Sequence, residues 1–86
     1  MAYVYAQKKE KLRKSLDFAE LNVAKLRWIP IHNFNQKYIE LLDKVSEELI
    51  NAKSIDIVFK KSKKRIAMVD ARLVILKNKL KLHKII

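Results

Sequence analysis

Apolar side chains in the first third of the chain recur at helical intervals. Tyr5, Leu12, Leu16, Ala19, Val23 and Leu26 follow one another in steps of three and four, with one turn skipped where Lys8 and Lys9 fall. Residues so spaced share one side of a 3.6-residue helix, and the pattern predicts a helix over about residues 3–28. Phe18, Leu21, Trp28 and Ile29 lie off that stripe as a second apolar patch. Pro30 disfavours α geometry at Ile29 and carries no amide hydrogen, so the helix is expected to end or kink there.

Asn33 stands three residues before Gln36, in the manner of a capping box, and is read as the cap of a second helix over about 34–52. Phe34, Tyr38, Leu41, Leu42, Val45, Leu49 and Ala52 share its apolar face, and Glu40, Asp43, Glu47 and Glu48 its polar one. Those four acids against Lys37 and Lys44 give the stretch a charge of −2. The residues around Asn51–Ser54 are ambiguous. Ser54 can cap a third helix with Asp56 in its first turn, where a carboxylate suits the helix dipole. That break is the preferred reading. With neither Gly nor Pro in the stretch, one uninterrupted helix is the alternative.

Beyond it the signal is clearest. Ile55, Phe59, Ser62, Ile66, Val69, Leu73, Leu76, Leu80 and His83 alternate steps of four and three over four heptads, predicting a coiled-coil-like helix over about 54–84. A second apolar face carries Met68, Ala71, Ile75, Leu82 and Ile86, with Val74 and Ile85 nearby. A helix apolar on two sides wants neighbours on two sides. Met68, Ile75, Leu82 and Ile86 are therefore candidates for an interface with a second copy or a partner protein.

Composition sharpens this picture. Of 86 residues none is Gly or Cys and one is Pro, which disfavours hairpin-built β folds and excludes disulfides and cysteine-based zinc sites. The chain reads as one all-α domain over residues 1–86: an antiparallel helical hairpin plus a long third helix, as a three-helix bundle or an extended hairpin, and oligomeric. A chain this short buries roughly 65% of its unfolded surface, so its core is thin. Lack of cysteine fits a reducing, cytoplasmic location, with the nucleus not excluded. No apolar run approaches the roughly 20 residues of a membrane span, and two polar seams on the third helix argue against it lying on a membrane surface.

Charge points to partners. Twenty Lys and Arg against nine Asp and Glu give +11, complementary to phosphate-rich surfaces. Lys60, Lys61, Lys63, Lys64 and Arg65 form one cluster and Lys8, Lys9, Lys11, Arg13 and Lys14 another. In an antiparallel three-helix arrangement the second helix returns the chain to the level of residues 9–14, and the clusters merge at one end. The expected function is non-enzymatic, non-sequence-specific binding of DNA or RNA through phosphates. Lysine dominance favours that over base reading, which recruits Arg. The alternative is a structural or adaptor subunit of a larger assembly, its charge serving an acidic partner.

Chemistry of other kinds is not indicated. His32 and His83 stand far apart with no cysteine, so neither a metal nor a cofactor is expected. No Gly-rich loop can cradle a nucleotide, and no serine has a His-and-acid arrangement beside it. Tyr5, Phe34, Tyr38 and Phe59 fall on the apolar stripes and read as core, whereas Trp28 either clasps the bundle end or meets a partner. Far-ultraviolet circular dichroism should report well over half the residues helical; a spectrum dominated by strand or coil would overturn the all-α reading.

Overall fold

The computed structural model describes residues 2–30 and 35–85, with side chains over 4–30 and 35–82. Three helices form a bundle: α1 (Ala2–Arg27), α2 (Gln36–Phe59) and α3 (Lys63–Ile85), with no strand among the described residues. The core is built from the predicted stripes. Leu12, Leu16, Ala19, Val23 and Leu26 of α1 meet Tyr38, Leu42, Val45, Leu49 and Ala52 of α2 and Ile66, Val69, Leu73 and Leu76 of α3. The α1–α2 interface is the most extensive, and α3 packs more lightly against both. Burial raises the Tyr38 phenol above its ordinary pKa by removing solvent from the charged form.

Local chemistry explains each helix end. After Arg27 the chain tightens through Trp28 N–H to the Lys25 carbonyl (3.2 Å) and Ile29 N–H to the Leu26 carbonyl (3.3 Å), and Pro30 follows. Lys25 and Arg27 occupy the last turn of α1, favourable at the negative end of the dipole. The cap of α2 is Asn35: its extended backbone (φ −105°, ψ −174°) lets its side chain accept the Tyr38 N–H at 3.2 Å. This corrects the expected capping box, since Gln36 is the first helical residue. Asn33, together with His32 and Phe34, lies outside the described residues.

The expected break at Ser54 does not occur. Helix α2 runs on to Phe59, with Ser54 exposed in its interior, and the third helix begins at Lys63. Ile55 and Phe59, read as the start of the third helix, belong to α2 and pack against the core from there. What stops α2 is Lys60, whose left-handed conformation (φ 57°, ψ 21°) turns the chain while its N–H bonds the Asp56 carbonyl at 2.8 Å. This is an αL cap formed without glycine. The Asp56 carboxylate then accepts the Ser62 N–H at 3.1 Å, and the Ser62 carbonyl opens α3 by accepting from Ile66 at 2.9 Å. Asp56 is therefore not in the first turn of α3, as expected, but in the last turn of α2, and the first turn of α3 holds no acid.

The helices are staggered. The molecule measures 53 Å along its longest axis, whereas 26 residues of α-helix span about 39 Å. Arg65, in the first turn of α3, reaches Asp17 and Glu20 near the middle of α1, so α3 starts level with mid-α1 and extends beyond its end.

Lys60→Gly should raise stability by about 1 kcal/mol, by removing the Cβ penalty of a left-handed residue. Asp56→Ala should lower it by about 1–3 kcal/mol, because the Ser62 amide loses its acceptor. Urea melts of the two variants check both signs; a Lys60→Gly variant that is less stable, or an Asp56→Ala variant that is not, would refute the proposed role of this turn.

Candidate nucleic-acid interface

The two basic clusters meet in part: Lys9 and Arg13 share a hollow with Lys61 and Arg65, whereas Lys11 and Lys14 line a separate one on α1 and Lys60 and Lys63 one between α2 and α3. Tyr5 and Phe59 meet edge-on with ring centroids 4.8 Å apart, fixing the start of α1 against the end of α2. A hollow there is rimmed by Lys9, Glu10, Arg13, Lys61 and Arg65 and floored by Leu12 and Leu16. The segment carrying Lys60–Arg65 is a three-residue turn and the first turn of α3, not a turn inside a continuous helix. Tyr5, read as core from its spacing, is half exposed, because α3 starts too far along α1 to cover it.

Lysines and arginines at this end have different fates. Arg13 donates through Nε to Glu10 Oε2 at 3.2 Å, with a second, close contact from Nη2 to the same carboxylate, and through Nη1 to Asp17 at 3.3 Å. Arg65 crosses from α3 to α1, donating through Nε to Glu20 at 2.7 Å and through Nη2 to Asp17 at 2.9 Å and Glu20 at 3.1 Å. Glu10, Arg13, Asp17, Arg65 and Glu20 thus form one chain of charges along the α1–α3 seam. The planar guanidinium suits such bidentate bridging; an ammonium does not. Hydrogen bonding to Arg13 holds the Glu10 carboxyl below its ordinary pKa. Hydrogen bonding to Glu20, opposed by partial burial and reinforced by Asp17, raises that of Arg65.

The lysines are left over. Lys8, Lys9, Lys11, Lys14, Lys60, Lys61, Lys63 and Lys64 are all exposed, and none has an ion-pair partner among the described residues. Elsewhere cations are put to internal use: Lys53 pairs with Asp70 at 3.6 Å, and Lys44 lies over the Phe18 ring at 5.7 Å. Of the ten cations expected to meet phosphate, eight therefore face solvent without an ion pair and two are tied to acids of α1.

The second apolar face of α3 is open: Met68, Ile75 and Leu82 are each more than half exposed. Ile86 and the side chains of His83 and Ile85 lie outside the described residues. Trp28 is 78% exposed and does not clasp the bundle end; Arg27 lies over its ring at 5.4 Å. One feature was not expected as a site. Arg27 joins Arg72 and Lys79 around a groove with Val23, Ile75 and Leu76. The heptad spacing of Arg65, Arg72 and Lys79 was the available signal for its α3 side. No cluster of three potential metal ligands occurs among the described residues, and no described helix is long and apolar enough to cross a membrane. No protein-family model, curated protein or solved structure matches this chain.

Arg65→Gln should cost about 0.5–1 kcal/mol in urea melts, the scale of a half-exposed ion pair, with helix content unchanged. In an NMR titration Glu10 should lose its charge below the ordinary carboxylate range. A carboxyl with a depressed folded pKa contributes stability above its unfolded pKa and loses it as pH falls through the folded one. Arg13→Gln should return the Glu10 midpoint to the ordinary range, and an unmoved midpoint would refute the pairing.

Proposed function

We propose that this protein is a non-enzymatic, intracellular nucleic-acid-binding protein that contacts phosphates through the lysines at one end of the bundle. The supporting observation is the division of labour among its cations. Every acid in α1 is engaged by Arg13 or Arg65, and the eight lysines carry no ion pair among the described residues and hold their charge toward solvent. Lysines that meet phosphates release condensed counterions, and that release generates salt-dependent affinity. Tyr5, half exposed beside Lys9 and Lys61, adds a ring on which an unpaired base could stack. Because both arginines at this end are committed internally, the surface lacks a bidentate reader of guanine, and binding should be indifferent to sequence.

A second reading has its own observation. The exposed stripe on α3 is a surface for another protein, as in a structural or adaptor subunit. The two readings place their partners on different surfaces and are separable.

Binding to duplex DNA, followed by anisotropy at several salt concentrations, should give a log–log slope between about −3.5 for the four turn lysines alone and −7 for all eight. Lys61→Gln, Lys63→Gln and Lys64→Gln together should flatten it by roughly 2.7 units. Arg65→Gln should leave the slope almost unchanged while lowering stability. No binding by the parent protein at low salt would overturn the proposal. A slope that responds to Arg65 and not to the lysines would move the contact to the seam.

A further inference from the structure

The groove between α1 and α3 has a composition of its own. Its six lining residues are three apolar side chains, Val23, Ile75 and Leu76, and three cations, Arg27, Arg72 and Lys79. No acid lines it, and none of the three cations has an ion pair among the described residues. Its apolar character continues outward along α3. Met68, Ile75 and Leu82 are 57%, 55% and 62% exposed and stand seven residues apart, a straight stripe of about 21 Å. The exposed Ala71 lies between the first two and leaves room for close approach. At the α1 edge Trp28 extends the surface through its contact with Arg27. A stripe repeating every seven residues, flanked by like charges at the same spacing, is the surface that another helix reads through its a, d, e and g positions.

We infer that this groove docks an amphipathic helix of a different protein, one with an apolar stripe flanked by acidic residues. Charge decides the occupant. A second α3 is disfavoured because the segment 63–85 carries eight cations, Lys63, Lys64, Arg65, Arg72, Lys77, Lys79, Lys81 and Lys84, against Asp70 alone. Stacking two such helices sets like charge on like. The chain's own acids do not supply the complement either. Those of α1 are held by arginines, Asp70 pairs with Lys53, and Asp56 is buried as a cap. The exposed acids of α2, Glu40, Asp43 and Glu47, precede its exposed large apolar residues, Ile50, Ile57 and Val58. Glu47 and Ile50 are neighbours on α2. Beyond Ile50 the exposed apolar residues Ile57 and Val58 have no acid flanking them at that spacing, and the adjacent Asp56 is buried, whereas the groove needs acids along the whole stripe.

Trp28 is the sole tryptophan and a built-in reporter. The probe is a synthetic three-heptad helix of about 21 residues with Leu and Ile at a and d and Glu at e and g. Titrated into the full chain at moderate salt, it should shift Trp28 emission to the blue and saturate. Arg72→Glu with Lys79→Glu should weaken binding by about tenfold or more, and Ile75→Glu by a similar factor. Lys61→Gln, Lys63→Gln and Lys64→Gln should leave it unchanged, separating this groove from the lysine end. Should the groove variants fail to fold by circular dichroism, the same probe with Gln in place of Glu serves instead and should bind about tenfold more weakly. Three results would each overturn the inference: a permuted peptide of identical composition binding as well, duplex DNA displacing the peptide, or the free protein scattering as a dimer that Ile75→Glu dissociates.

Discussion

A chain without glycine has to reverse direction between α2 and α3 in three residues, and the way it does so governs the rest of the molecule. Lys60 takes the left-handed conformation that glycine would adopt freely. Asp56 makes this tolerable by acting twice, its carbonyl closing α2 and its carboxylate holding the Ser62 amide at the head of α3. A backbone group and a side chain of one buried residue thus tie two helices to one corner. That corner sets α3 parallel to α1 and staggered along it. The stagger carries Arg65 to Asp17 and Glu20, leaves Tyr5 uncovered, and brings the lysines of α1 and of the turn to the same end.

Positive charge at that end is divided by side-chain chemistry. The two arginines bridge carboxylates of α1 with forked guanidinium groups, and one of them staples α3 in place. The lysines, compact and strongly hydrated, stay in water. The two arginines offset most of the charge of the three carboxylates on this side of α1, so less of it opposes the field of the lysines at the proposed interface. The same division explains why the proposed interface lacks the means to discriminate among bases.

Helix α3 pays least for its position. One face supplies Ile66, Val69, Leu73 and Leu76 to the core, and the opposite face stays in solvent. Small bundles have little core to share, and a helix packed on one side by two neighbours can accept a third along its other side without rearrangement. The lysine end and the α1–α3 groove are distinct surfaces on one scaffold, with hydrated cations at the first and cations interleaved with apolar side chains at the second. The two proposed partners would therefore not compete for one surface.

The apolar periodicity of α1, of α2 and of α3 named nearly all the buried core in advance, because burial of a helical stripe is dictated by spacing along a single helix. The all-α character, with no strand among the described residues, followed from the same spacing and from the lack of glycine, while the choice between three helices and an extended hairpin stayed open. The α2–α3 boundary was not legible, since Ile55, Phe59, Ser62 and Ile66 keep the heptad count across the break and both helices face one core. Ser54 and Ser62 are equally good caps in isolation; a buried Asp56 beneath Ser62 chose between them. The ten clustered cations were legible as a basic surface, but the separation of Arg13 and Arg65 from the lysines was not. Spacing along one helix determines which residues face inward together, whereas ion pairs and grooves between helices depend on stagger. Here the stagger comes from one turn whose geometry no local pattern prescribes.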